Sequence, residues 1–159
     1  MVKQALLNAL PNIQKNIFNA MNNRVFTPRI IRAVLSGTFK RDLDGLARAY
    51  SELNALGCQI LSPHRIDFVS EEKGFVKTAA EKECTFEELQ QHHVRAISEA
   101  DFVWLHAPEG HVGTSAAFEI GYAAAKGVPV FSRNSPVDPA IERYVKLRRS
   151  LFDALYELR

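Results

Sequence analysis

Cysteine is scarce in this chain. Cys58 and Cys84 are the only two, there is no CxxC pair, and no histidines are paired at metal-binding spacing. Neither a disulfide framework nor a metal site is therefore expected. Charge of one sign is also lacking. The 20 Lys and Arg stand against 18 Asp and Glu, too even a balance for the broad basic field that non-specific nucleic-acid binding needs. That disfavours a nucleic-acid polymer as partner but leaves a single nucleotide open. Long apolar runs are missing as well. The opening residues pass from Leu6-Leu7 to Pro11-Asn12 without the length or hydrophobicity of a signal peptide or a membrane span, so a cytoplasmic protein with no membrane partner is expected. What remains is ordinary globular composition, 47% hydrophobic and 24% charged over 159 residues, enough for one core.

Apolar periodicity orders the elements. Leu6, Leu10, Ile13, Ile17 and Met21 form a helical stripe, read as an N-terminal helical extension over residues 1–28 that Pro11 can split. Ile30 to Leu35 is an apolar, β-branched run, the pattern of a strand covered on both faces. A turn at Ser36-Gly37-Thr38-Phe39 leads to a helix from Asp42 to Leu56, closed by Gly57, and Cys58 to Leu61 is a second strand. Residues 64–83 hold no steady period and read as a long loop with room for one short turn of helix, a feature that is usually functional or mobile. Thr85-Phe86-Glu87-Glu88 has capping-box form and opens a helix lined by Leu89, Val94 and Ile97. Phe102 to Leu105 is a strand, Ala116 to Lys126 a helix of small residues, Val128 to Phe131 a further strand, and the tail from Pro139 is helical.

Alternation of strand and helix over residues 29–159 calls for an α/β domain, Rossmann-like or flavodoxin-like, with a parallel sheet and helices on both faces. Ligands of such sheets bind outside the carboxyl ends of the strands. That directs attention to Ser36–Phe39, Ser62–Asp67, His106–Ser115 and Ser132–Asp138. Just beyond the third of them Glu119 draws most interest, because it follows a glycine-bearing loop and lies near the start of a helix whose small residues allow close approach to the sheet. A charge that merely decorates a helix N-terminus is the alternative. Gly37 and Gly113 offer uncrowded backbone N–H groups, and Thr38, Thr114 and Ser115 offer hydroxyls. Phe39 can stack on a base or belong to the core, as can Trp104. Lys40-Arg41 can meet a 5′-phosphate or form an ordinary solvated pair.

The run Gly113-Thr114-Ser115-Ala116-Ala117-Phe118-Glu119-Ile120-Gly121-Tyr122-Ala123 is preceded by Ile97-Ser98-Glu99-Ala100-Asp101-Phe102-Val103 and followed by Gly127-Val128-Pro129-Val130. Together these resemble the nucleoside 2-deoxyribosyltransferase family over about Ile30 to Ser132. The resemblance implies that Glu119 matches the family's nucleophile. It also implies that Ser36, Gly37, Thr38 and Phe39 line a pocket for sugar and base, and the second turn, with Gly113, Thr114 and Ser115, is expected to meet the first at the same edge of the sheet. Two departures stand out. The family commonly spaces glycine and glutamate by four, whereas Glu119 lies six after Gly113. Two extra helical residues would turn the carboxylate by about 200°, so the loop is expected to absorb them. The family's pocket aspartate ahead of the strand is replaced by His93, and its acidic residues before the glycine by His111-Val112.

The implied activity is an N-glycosidic bond enzyme, a deoxyribosyltransferase or an N-glycoside hydrolase, acting on a nucleoside or nucleotide without cofactor. A carboxylate attacks the anomeric carbon, and a second titratable group protonates the leaving base. His111, His106, His93 and Asp101 are all possible by position, and none is singled out. His111 and Asp101 join Glu119 as the catalytic candidates, while the adjacent His92-His93 is read first as surface or structural. The resemblance further implies a homodimer or higher homo-oligomer. Two other readings stay open. One is a phosphoribohydrolase, loosely echoed by Pro108 to Thr114. The other is a non-catalytic nucleotide-binding or sensing domain.

Overall fold

The computed structural model describes residues 29–72 and 75–158. The N-terminal helical extension expected over residues 1–28 lies outside them. Five strands form the central sheet: β1 (Arg32–Gly37), β2 (Gln59–Ser62), β5 (Phe102–His106), β6 (Val130–Ser132) and β7 (Val145–Leu147). Their order is β2-β1-β5-β6-β7 and every pairing is parallel. This is the expected α/β sandwich in its flavodoxin-like order. The chain runs outward from β1 to β2, then returns to the other side of β1 with β5, so the strand order reverses between β1 and β5.

Strand alternation divides the core into two layers. Ala33 and Leu35 of β1, with Phe102 and Trp104 of β5, pack on one face against α1 (Leu43–Ala55) and α5 (Leu151–Glu157) through Leu46, Leu53, Leu151 and Ala154. Val34, Val103 and Leu105 point the other way. They meet α2 (Phe86–Glu99) and α3 (Thr114–Ala125) through Ala96, Ile97, Ala116, Ile120 and Ala123. Helix starts carry the caps their sequences advertise: Asp42 accepts from the Gly45 N–H at 2.8 Å, and Thr85 and Glu88 form a reciprocal capping box. Cys58 is a core thiol and Cys84 is half-buried, both free. Among the described residues no helix is long and apolar enough to cross a membrane.

Two expectations need correction. Residues 64–83 are not a structureless loop. They hold an antiparallel hairpin, β3 (Phe68–Glu72) with β4 (Phe75–Thr78), and the short helical turn allowed for is the 3₁₀ turn at Ala79–Glu81. The hairpin escapes a periodicity reading because Lys77 occupies a buried position, its ammonium spent on the Cys84 carbonyl at 2.7 Å. The tail is not one helix either. A short α4 (Pro139–Glu142) is followed by the edge strand β7 and only then by α5, started by Ser150, whose hydroxyl accepts from the Asp153 N–H. A strand of three residues is too short to express a period of two, and the surrounding leucines happen to fall at helical spacing.

Candidate active site

Four side chains from four elements converge at the carboxyl edge of the sheet, beside the point where strand order reverses. Ser36 shares the face of Val34 on β1 and so points toward α3, where it is fully buried. Ser62 reaches the same face by a different route. In β2, Ile60 packs on the α1 side and Leu61 on the α2 side, so strict alternation would return Ser62 to α1. The register slips there, with Ala33 opposite Ile60 but Val34 opposite Ser62. This bulge re-aims the hydroxyl toward α2. His93 lies one turn before the buried Ile97, on the inward stripe of α2. Glu119 stands in the matching stripe of α3, between Ala116 and Ala123.

Gly113 is the N-cap of α3 and Thr114 its first residue. Every residue between Gly113 and Glu119 is therefore helical, and the expected loop between them that would absorb two residues is not seen. Glu119 sits in the second turn, beyond the strongest reach of the helix dipole, and its partners are side chains. Ser36 Oγ donates to Glu119 Oε2, and His93 Nε2 lies 3.2 Å from the same oxygen. On the other side of the ring, His93 Nδ1 is 2.7 Å from Ser62 Oγ. Ser62, His93, Glu119 and Ser36 thus form one buried polar chain, with the His93 and Glu119 side chains only 11% and 10% exposed. His93 Nε2 is close to the carboxylate but not aligned for a hydrogen bond, so the contact is chiefly one of charge.

The proton affinity of His93 reflects that arrangement. Burial alone pushes its pKa down, but the charge of the Glu119 carboxylate opposite, and that of Glu81 more weakly, more than offset it. The net shift is upward from 6.5.

The carboxylate opens onto a cavity of about 350 Å³, within the range of small-molecule sites. Its polar side comes from Gly37, Thr38 and Lys40 after β1 and from Gly113, Thr114 and Ser115 at the start of α3. Its apolar side is Phe39, Pro63, Phe68, Val76 and Leu89, so the hairpin forms much of the cover. Phe39 stacks on Phe68 with centroids 5.6 Å apart and planes inclined by 16°. Gly37 is required where it is: its φ is +131°, and a Cβ there would overlap the His106 carbonyl oxygen across the β1–β5 ladder.

The two glycine-bearing turns named from sequence, Ser36 to Phe39 and Gly113 to Ser115, do meet around Glu119. Asp101 does not join them. It precedes β5 and so lies at the amino edge of the sheet, where it accepts from the Arg32 N–H at 2.7 Å and pairs with Arg29. His111 is exposed on the loop before α3 and does not line the cavity; only its backbone carbonyl approaches the site, 3.5 Å from Thr38 Oγ1. His106 faces α1, its Nε2 3.2 Å from Asp42. Trp104 is core. The residue undervalued from sequence is His93, and a signal for it existed: Leu89, His93 and Ile97 recur at intervals of four. Among the described residues no group of three His, Cys, Asp or Glu side chains is arranged to hold a metal ion.

No family model and no curated protein matches the chain. Among solved structures it is similar to a conserved protein from Enterococcus faecalis V583, with TM-score 0.49 and 16% identity over 65% of this chain and 62% of that one. It is also similar to a CMP N-glycosidase from Clostridium botulinum, with TM-score 0.46 and 13% identity over 80% and 97%. The chain thus spans less than two thirds of the length of the Enterococcus protein. At these identities the likeness is one of strand and helix arrangement and assigns no substrate.

Proposed function

We propose that this chain acts on the N-glycosidic bond of a nucleoside or nucleotide, as a 2-deoxyribosyltransferase or an N-glycoside hydrolase, with Glu119 as nucleophile. The observation that carries the reading is the placement of Glu119. It is a buried carboxylate, 8% exposed, on the wall of a cavity of about 350 Å³ at the carboxyl edge of a parallel sheet. The resemblance of Gly113 to Ala123 to the deoxyribosyltransferase segment supports the same reading.

Both contacts to Glu119 from described residues fall on Oε2. They fix the carboxylate plane and leave Oε1 to attack the anomeric carbon. The turns at Gly37 to Phe39 and Gly113 to Ser115 border the carboxylate and are suited to hold the sugar and any 5′ group. Phe39, braced by Phe68, offers the base an aromatic face. Attack forms a glycosyl ester and expels the base. A second base or water then takes the sugar. No metal or organic cofactor is needed for these steps. Homo-oligomeric assembly belongs to the same reading, and sedimentation velocity tests it.

The test is incubation of the protein with a panel of deoxynucleosides, ribonucleosides and their 5′-monophosphates, with and without acceptor bases, followed by chromatography of free base. Release that is lost in Glu119→Ala supports the proposal. A new nucleoside in the presence of acceptor marks transfer, and free sugar marks hydrolysis. Release unchanged by Glu119→Ala refutes the site assignment, and tight binding without release marks a sensing domain instead.

A further inference from the structure

We propose that His93 is the acid that protonates the departing base, and that bond formation at Glu119 is what releases its proton. The inference rests on Glu119 as nucleophile and goes beyond it by naming the second catalytic group and how it is timed.

The titratable groups around the cavity leave one suitable donor. Glu81 Oε2 is engaged by the backbone N–H and hydroxyl of Thr78 at 3.0 and 2.8 Å. His92 is exposed and lies against the ring of His64, 4.8 Å between centroids. Lys40 enters from the turn after β1, on the polar side beside Thr38. Among the described residues His93 alone of the titratable groups stands next to the attacking group, 3.2 Å from its Oε2, in a buried position that lines the cavity. Its other nitrogen is anchored by Ser62 at 2.7 Å. With the ring protonated, Nδ1–H donates to Ser62 and Nε2–H faces the carboxylate without being aligned on it, so that proton can turn toward a base in the cavity. Ser62 is then a positioning residue.

The timing follows from charge. A buried imidazolium is favourable while Glu119 is an anion, because that charge outweighs the cost of burial. In the first step Glu119 Oε1 uses a lone pair to bond the anomeric carbon. The carbon–nitrogen bond breaks with its pair on the base, and the Nε2 proton passes to the base. Glu119 is now a neutral ester, and the imidazole, left with burial and only Glu81 to oppose it, is neutral as well. In the second step the imidazole takes a proton from water or from the acceptor base as that nucleophile bonds the anomeric carbon. The carbon–Oε1 pair then returns to the carboxylate. Each step keeps the pair at the same total charge.

The test compares wild type, His93→Gln and Glu119→Gln on a deoxynucleoside and on 4-nitrophenyl 2-deoxyriboside, whose phenolate leaves without a proton. His93→Gln should lose about 10²–10⁴-fold on the nucleoside and less than about tenfold on the nitrophenyl glycoside, and Glu119→Gln should fail on both. Equal losses on both substrates in His93→Gln overturn the acid assignment while leaving the nucleophile intact. Full activity of Glu119→Gln on the nitrophenyl glycoside overturns the nucleophile instead. Independently of turnover, ¹⁵N-histidine NMR of the full chain should show the His93 midpoint falling in Glu119→Gln, as loss of the facing charge requires. A midpoint that does not move overturns the coupling.

Discussion

Ser36, at the carboxyl end of β1, and Glu119, in the second turn of α3, are joined by a hydroxyl-to-carboxylate hydrogen bond across the line where the strand order reverses. A hydrogen bond to a charged group is worth about 1.5–3 kcal/mol, and this one orients the proposed nucleophile. Ser36→Ala should therefore slow base release by about 10- to 100-fold with KM nearly unchanged. Steady-state kinetics on the best substrate of the panel checks it, and a change confined to KM would contradict it.

His93 makes stability depend on pH in a stated direction. Its folded pKa lies above the unfolded value near 6.5, so its contribution is complete below that value and is lost as pH rises through the folded pKa. Urea midpoints measured from pH 5.5 to 9 should fall over the upper part of that range relative to His93→Gln. Glu119→Gln should remove the difference.

Asp101 offers a control at the opposite edge of the sheet. It holds the Arg32 N–H and the Arg29 guanidinium, so Asp101→Asn should cost about 1–3 kcal/mol of stability while changing kcat by less than about twofold. Denaturation and rate measured on one preparation separate the two effects. A large kcat loss in a stably folded variant would return Asp101 to the catalytic set.

The two pocket glycines should behave differently. Gly37→Ala forces a Cβ into the His106 carbonyl at φ +131° and should cost at least about 3 kcal/mol. Gly113→Ala, with open space and an ordinary extended φ of −76°, should cost about 1 kcal/mol or less. Chemical denaturation of both variants tests the contrast.

The order of β1, α1, β2, α2, β5 and α3 was legible because each element is long enough to express its period and is bounded by a cap or a glycine. Glu119 and the turn at Gly37 were legible for the same reason. Asp101 was misplaced on a point that parallel topology itself could have decided, since a residue ahead of a parallel strand lies at the amino edge while the ligand edge is carboxyl. His93 was hidden by its company. It sits beside His92 and Val94, and Val94 took its place in the apolar stripe, whereas the inward positions are Leu89, His93 and Ile97. The aim of Ser62 rests on a one-residue slip between β1 and β2, which no pattern within β2 announces.

Among the described residues the hairpin of β3 and β4 shares no ladder with the five-stranded sheet, although it supplies Phe68 and Val76 to the cavity. Roof and foundation are therefore separately editable. Exchanging this insert for one of different length or polarity would retune which guest is admitted while leaving the reacting groups on their rigid floor. Related chains should diverge fastest in this stretch, and anyone redesigning the protein's preference should begin there.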